Sequence, residues 1–438
     1  MNQDIKEKTI FLADYAARLM AVGCQTTRVL SNASIIAQAF GLKMNMILFS
    51  RSLSLTLHDE EMQAYTYVKH VPGAGVNFRL NSDLCELAWQ TLDEHLTLEE
   101  VRRRYEQIIS RPKSSPWLVL FVAALANACL CRIFGGNLCS MLLVFAATLA
   151  GVLLRQRLLH LRLNPLGVFL VCAFASSLIA SADFLFLHGG TEDVTLATSV
   201  LYLVPGIVLI NGVMDLIDHH TLNGIARLVN AMLLVLSIAF GLMLTLAVTG
   251  IGQVEIERAT VGNLLTEYLV CAPFAAIAGI GFAIVCNPPK KALWCCGFLA
   301  LTGFSVRFFL MNALGVDQAG ASAAAGLMVG LLSVPISMKI HCPSETFAFT
   351  SLLPLIPGMI AYQAVVDLVF ILSKSTDAAT RFVIEFFQNG TLVSLVIFGM
   401  TAGCIAPILL FRARTYSVTR KVAQQVAPKE KAINSRES

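Results

Sequence analysis

Charge is what this chain has least of: Asp, Glu, Lys and Arg make up 14% of its 438 residues, against about a quarter in soluble domains. The shortage is uneven. Residues 1–116 carry an ordinary share, whereas 117–411 run from one apolar stretch to the next. That excludes a wholly soluble chain and points to a soluble domain fused to an integral membrane domain. The formal net charge of +4 offers no basic face to nucleic acid, because the lysines and arginines stand at the edges of apolar stretches. Signatures are missing as well. The twelve cysteines include no C-x-x-C pair and no Cys/His metal spacing; most sit in apolar runs and read as small buried hydrophobes. No H-E-x-x-H, G-x-S-x-G or Walker A motif occurs, so nothing marks an enzyme, a metal site or a cofactor. The first thirty residues have no continuous apolar core and carry Asp4, Lys6, Glu7, Lys8, Asp14 and Arg18. They read as the start of a domain that stays where it is made, not as a signal peptide.

Within 1–116, helical periodicity over Ile5–Phe40 breaks at Gly23–Thr27, which predicts two helices. Leu42–His58 and Met62–His70 alternate with period two, which predicts a small sheet turning at His58–Glu61. Helix returns over Val76–Ile109, with Thr97-Leu98-Glu99-Glu100 as a capping-box start. The expectation is a small α+β domain. Neither His58-Asp59-Glu60 nor Gly23-x-x-Thr26-Thr27-Arg28 matches a reaction geometry, so regulation, gating or assembly suits the domain better than catalysis.

Ten membrane spans are predicted, at 117–134, 138–154, 165–187, 196–217, 226–250, 264–286, 291–311, 318–340, 347–372 and 390–411. One set of connections holds Arg111, Lys113, Arg155, Arg157, Arg162, Lys290, Lys291, Lys339 and the basic tail with Arg412 and Arg414. The other holds Glu192, Asp193, Glu255, Glu257, Arg258 and Asp317. The positive set marks the cytoplasmic side and places both termini there. The loop 373–389, with Lys374 and Arg381 outside, fits least well.

Two of these spans share a pattern. Val204–Ile217 and Ile356–Val369 align without a gap, matching Pro205 with Pro357, Gly206 with Gly358, Val213 with Val365, Asp215 with Asp367 and Leu216 with Leu368. They are the fourth and ninth spans. Five spans per half is an odd number, so the halves are expected to be inverted, a sequence pointer to a secondary transporter with its site near the midplane. A proline frees the carbonyl four residues earlier, here Leu201 and Leu353; such breaks persist where protein or a watery cavity supplies a partner. Pro205, Gly206, Pro357 and Gly358 are thus candidate substrate-binding residues. Asn211 and Gln363, aligned with each other, are candidate hydrogen-bonding amides, and Arg307 is a candidate partner for a substrate carboxylate. Asp215 and Asp367 lie roughly 15 Å along the helix axis from their prolines and are candidate proton carriers, because ionisable groups inside spans are costly. Arg132, Asp183 and Glu267 read as solvated groups at span ends, and Asn127 and Asn230 as interhelical hydrogen bonds. Gly326-x-x-x-Gly330 predicts close helix packing.

With these residues in view, the chain over 8–411 resembles the threonine/serine exporter family in its fused single-chain form. The resemblance rests on Val22-Gly23-x-x-Thr26-Thr27-Arg28-Val29, Gly135-Gly136, Leu203-Val204-Pro205-Gly206, Asn211-Gly212, Asp215 and Gly224 in the first part. In the second it rests on Gly281-Phe282-Ala283-x-x-Cys286-Asn287-x-Pro289, Arg307, Pro343 and Leu355-Ile356-Pro357-Gly358-x-x-x-Tyr362. It implies a bacterial inner-membrane carrier that exports threonine or serine on the proton-motive force. Relatives split into two polypeptides are linked to dicarboxylate (succinate) export, which is the alternative, with a channel or sensor as a third reading. The full expectation is a mainly α integral membrane protein. It has a cytoplasmic α+β domain at 1–116, inverted five-helix halves at 117–255 and 256–411, and a basic cytoplasmic tail at 412–438. Its partners are the small solute, protons, the lipid bilayer and, left open, a second copy of the chain.

Overall fold

The structure, a computed structural model, describes residues 3–59, 63–73, 75–112, 114–251, 263–373 and 376–411. The expected turn at His58–Glu61, the acidic connection Glu255–Arg258, the boundary at 255/256, Lys113, Lys374 and the tail 412–438 therefore fall wholly or partly outside the described residues.

The N-terminal part is α+β, as its periodicities predict. Helices α1 (Gln3–Ala21) and α2 (Thr26–Ala39) are separated at Gly23, whose φ of +85° and close approach to the Val76 side chain suit a residue without Cβ. Where one long alternating segment was expected, Leu42–His58 folds back on itself as β1 (Lys43–Leu48) and β2 (Ser52–His58), and β3 (Ala64–His70) completes an antiparallel sheet in the order β1-β2-β3. Leu53, Leu55 and Leu57 of the central strand are fully buried, and α1 lies over β2 and β3. Helix α3 (Phe78–Asp93) and α4 (Leu98–Ile109) follow, and the Thr97–Glu100 capping box is formed in both directions. Losing such a cap costs about 1 kcal/mol.

Among the described residues, eight further helices are long and apolar enough to cross a membrane, and two bent pairs bring the number to ten if each pair is one span. They are α5 (Pro116–Ile133), α6 (Leu138–His160), α7 (Pro165–Ala180, continued by a π-turn to Leu187), the pair α8 (Glu192–Ser199) and α9 (Gly206–Ile217), and α10 (Thr221–Thr249). Then come α11 (Leu264–Val285), α12 (Leu293–Asn312), α13 (Gln318–Ile340), the pair α14 (Ser344–Leu352) and α15 (Gly358–Ser373), and α16 (Thr376–Leu410). Only 33–50% of each long apolar window is buried in the protein, and Leu233, Phe240, Leu269, Phe298 and Phe398 stand exposed on the outside. Water would not tolerate so large an apolar surface; lipid does. The last helix corrects an expectation: residues 376–389 are helical, not a loop, and Arg381 pairs with Glu385 one turn on, at 2.7 Å.

The two sets of five repeat one order with matching neighbours. α5 packs on α6 as α11 does on α12, α7 on α10 as α13 on α16, and α9 on α10 as α15 on α16; α5 and α11 meet each other at the seam between the sets. Glycines set the tight contacts. Gly326 and Gly330 lie against the backbone of Met400 and Cys404, as the small-residue motif predicts, while Gly241 of α10 and Gly403 of α16 press on the backbones of α7 and α13 respectively. Even the endings agree: α7 with its π-turn and α13 both stop at a histidine in the left-handed region, His188 (φ 49°) and His341 (φ 55°).

Candidate solute site at the crossed helix breaks

Each bent pair turns at its Pro-Gly. The axes bend by 62° between the Glu192–Leu203 and Gly206–Ile217 segments, and by 52° between Ser344–Leu355 and Gly358–Leu368. Pro205 (φ −79°, ψ 57°) is the centre of an inverse γ-turn in which the Gly206 N–H donates to the Val204 carbonyl at 2.8 Å. Gly358 donates to Ile356 in the same way at 2.7 Å. The carbonyls of Leu201 and Leu353, expected to be free for a solute, are instead taken up within short 3₁₀ turns by the N–H groups of Val204 (3.1 Å) and Ile356 (3.3 Å). The protein satisfies its own broken backbone.

The two breaks touch each other reciprocally. A Cβ on Gly206 would lie 2.6 Å from the side chains of both Leu353 and Ile356, and one on Gly358 would lie 2.7 Å from Leu201. Leu201 and Leu353 are themselves equivalent, separated by the same 152 positions as Pro205 and Pro357. At that offset the repeat extends well beyond the motif read from sequence, matching Gly151 with Gly303, Arg155 with Arg307, Thr198 with Thr350, Ser199 with Ser351 and Leu203 with Leu355.

A cavity of about 420 Å³ opens at this crossing, bordered by Pro205, Gly206, Gly358, Tyr202, Arg155 and, from the N-terminal domain, Val76. Its size falls within the roughly 300–1,000 Å³ of small-molecule sites. Arg155 was read as an interfacial charge, yet it borders the cavity with its guanidinium 4.9 Å over the Phe169 ring. Its Nε is closed off from solvent and has no hydrogen-bond partner among the described residues. Arg307 behaves differently: its Nη1 donates to the Leu355 carbonyl at 2.5 Å, and it does not border the cavity. Neither Asn211 nor Gln363 borders it. The sequence signal that could have found Arg155 is the G-x-x-x-R spacing it shares with Gly303 and Arg307.

The equivalent aspartates sit in unlike surroundings. Asp215 (1% exposed) faces Arg227 of α10 at 3.3 Å and accepts from the backbone N–H (3.1 Å) and hydroxyl (3.0 Å) of Thr26. Asp367 (0% exposed) accepts from two neutral amides, Gln363 Nε2 at 3.1 Å and Asn389 Nδ2 at 2.8 Å. Asn389 of α16 thus stands where Arg227 stands in α10. Asp183 corrects another expectation: it is buried, with Thr195 donating to it at 2.6 Å and the Gly189 N–H at 3.2 Å. Asn127 does bridge helices, donating to Thr148 (2.8 Å) and the Thr198 carbonyl (2.9 Å), whereas Asn230 is exposed.

The Gly23–Arg28 loop, a motif without a reaction, has a mechanical place. Besides the bonds of Thr26 to Asp215, it receives Asn211 on the Gly23 carbonyl (2.9 Å) and Arg227 on the Cys24 carbonyl (2.9 Å), while Thr27 donates to Asp218 (2.5 Å). Arg28 reaches the other half and forms a buried ion pair with Glu345 in the first turn of α14. The loop therefore clasps α9 and α14 together. A second tie lies at α3, where Asn287 donates to Asn77 (2.8 Å) and the Phe78 N–H donates to Cys286 (3.0 Å). Burial pushes the thiols of this domain up: Cys85 to about 11, and Cys24, inside the clasp, further. Only thiolates alkylate readily. Both cysteines are therefore expected to resist iodoacetamide at pH 8 in the folded protein and to label on denaturation; rapid native labelling of Cys24 would contradict the closed clasp.

Paired breaks around a central cavity within an apolar multi-helix domain define the class, a multi-pass membrane transport protein. The comparisons narrow it. The family described as threonine/serine exporter matches residues 11–249, and a second model of that description matches 272–410. The chain belongs to the threonine/serine exporter family, in a fused form carrying both parts, and its family is one of membrane exporters, not enzymes. A "probable threonine/serine exporter" of Mycobacterium tuberculosis is 25% identical over 388 residues, covering 83% of this chain and 70% of the relative. Two proteins named "probable succinate transporter subunit" match about half of this chain. The one from Escherichia coli is 29% identical over 53% of this chain and 91% of its own length, and the one from Klebsiella aerogenes is 26% identical over 54% and 92%. No solved structure matches.

Proposed function

We propose that this chain is a secondary carrier that exports threonine or serine from the bacterial cytoplasm on the proton-motive force. The observation that carries the reading is the reciprocal packing of Gly206 on Leu353 and Gly358 on Leu201 beside a cavity. If each five-element set crosses the bilayer element by element, an odd number inverts the second set, and crossed breaks at a midplane cavity suit alternating access. The divisions 1–116, 117–255, 256–411 and 412–438 follow from that arrangement. Arg157, Arg162, Lys290, Lys291 and Lys339 fall at the helix ends nearer the N-terminal domain, and Glu192 and Asp317 at the opposite ends. That asymmetry supports a cytoplasmic N-terminal domain and tail in the inner membrane.

In this reading the aspartates divide their work. Asp367, held by neutral amides, loses and regains a proton without stranding a cation, so it couples the cycle. Asp215, matched by Arg227, keeps its charge and holds the clasp. The clasp ties the cytoplasmic ends of both halves and must loosen as they rock.

A dicarboxylate cargo is the second reading, favoured by the two relatives named for succinate. A dianion calls for two available cations. Arg307 is occupied by the Leu355 carbonyl, which leaves Arg155 and suits one carboxylate. The test is the purified protein in liposomes loaded separately with labelled threonine, serine and succinate, with and without a pH gradient. Gradient-driven efflux of threonine or serine is expected; flux of succinate alone would replace the cargo, and no flux of any solute would end the carrier reading.

A further inference from the structure

Resting on that carrier reading, we propose that Arg155 binds the substrate's carboxylate in the cavity at the crossing, and that Arg307 takes over this part when the cavity opens to the opposite side. Arg155 is a cation at the edge of the cavity between the two helix breaks, its Nε is buried and unbonded among the described residues, and no carboxylate lies within ion-pair distance of it there. A guanidinium has five donors in a planar fork that fits a carboxylate with two parallel bonds. Phe169 holds the guanidinium plane from one side, which leaves the fork open to the cavity. The Tyr202 hydroxyl, held by Ser176 at 2.9 Å, stands beside Gly151, one turn from Arg155. It gives a bound hydroxy acid or amino acid a second polar partner. Gly151 is required here because any side chain would collide with Tyr202 and Ser176.

The repeat supplies the second half of the proposal. Arg307 stands at the position equivalent to Arg155 and donates to the carbonyl of Leu355, the residue equivalent to Leu203. Arg155 makes no such bond to Leu203, although both border the cavity. The two halves thus hold one arginine engaged and one disengaged. In carriers built from inverted halves, the opposite-facing state is reached when the halves exchange conformations. Arg155 would then cap Leu203, and Arg307 would leave Leu355 to meet the carboxylate from the other side. The substrate is handed from one guanidinium to its twin.

Binding to the purified full chain in detergent tests this with three probes: L-threonine, succinate, and L-threoninol, which lacks the carboxylate. Wild-type protein should bind at least one of the two carboxylates, and threoninol about 30-fold more weakly, the usual scale for a lost charged partner. R155Q should lose the carboxylate by a similar factor, and R155K should recover part of it. R307Q should keep binding while its turnover in liposomes falls at least about tenfold. Measurable binding of threonine no tighter than that of threoninol, no binding of either carboxylate at millimolar concentration, or binding of the preferred carboxylate by R155Q at wild-type affinity would each overturn the assignment of Arg155. Wild-type turnover in R307Q would overturn the exchange of roles. If R155Q does not fold, the comparison of threonine with threoninol on wild-type protein still decides. Succinate binding that depends on Arg155 would change the cargo and leave this assignment standing, so the two failures are distinguishable.

Discussion

Valine at position 206 or 358 will abolish transport. Each glycine lets its break pass against the other, and a Cβ there would sit 2.6 Å from Leu353 and Ile356 in one case and 2.7 Å from Leu201 in the other. Those neighbours belong to the opposite break, so the intruding side chain wedges the halves apart at the point about which they would move. Overpacking of this kind costs about 1–3 kcal/mol, which lowers the melting temperature without unfolding the chain. Transport suffers more than stability, because a wedge at the crossing fixes one arrangement. Alanine, with one methyl group, should retain part of the flux. Solute efflux from liposomes measures it, with size-exclusion behaviour as the control for folding; valine variants with wild-type flux would show that the crossing is passive.

Arg28→Ala will have the second largest effect, this time on stability. Arg28 and Glu345 are each 3% exposed, and removing the cation strips the buried carboxylate of its Arg28 partner. Breaking a buried pair from one side costs about 3–5 kcal/mol, whereas removing both charges is far milder. Thermal unfolding should therefore show a large drop for Arg28→Ala and substantial recovery for Arg28→Ala combined with Glu345→Gln. Cys24, in the same loop, should become alkylatable in the single variant. An unchanged melting temperature in Arg28→Ala would mean that the domain is held by the Asn77–Asn287 tie and does not need its clasp.

Much of the fold was legible because it follows from local patterns. The capping box at Thr97 is written in two residues, and the apolar runs from Pro116 onward leave no choice but helix. The hairpin at Phe49–Arg51 was hidden since no glycine, proline or asparagine marks the reversal. The start of α16 was hidden for the opposite reason: Asp377, Arg381 and Glu385 look like a solvated loop, yet Arg381 and Glu385 support a helix one turn apart.

The site was legible only where both copies spell the same word. Pro-Gly and Asp stand out within one stretch, but Gly151-x-x-x-Arg155 and Gly303-x-x-x-Arg307 lie a helix away from it, and an arginine near the end of a span reads as a membrane edge. Asp183 was misread on the same logic; only the fold shows Thr195 and Ser140 turned toward it. The difference between Asp215 and Asp367 was beyond reach, because it is made by Arg227 and Asn389 on other helices and by Thr26 on another domain. Equal letters had unequal neighbours.

Threonine flux in Asp367→Asn and Asp215→Asn liposomes tests the central claim most directly, measured once with a pH gradient and once as exchange of labelled for unlabelled threonine at equal pH. Asp367→Asn should lose gradient-driven accumulation while exchange persists, because exchange needs the crossing and the cavity but no net proton movement. Asp215→Asn should keep coupling in whatever flux remains, since its deficit lies in the clasp. Gradient-driven accumulation by Asp367→Asn at the wild-type level would contradict the account.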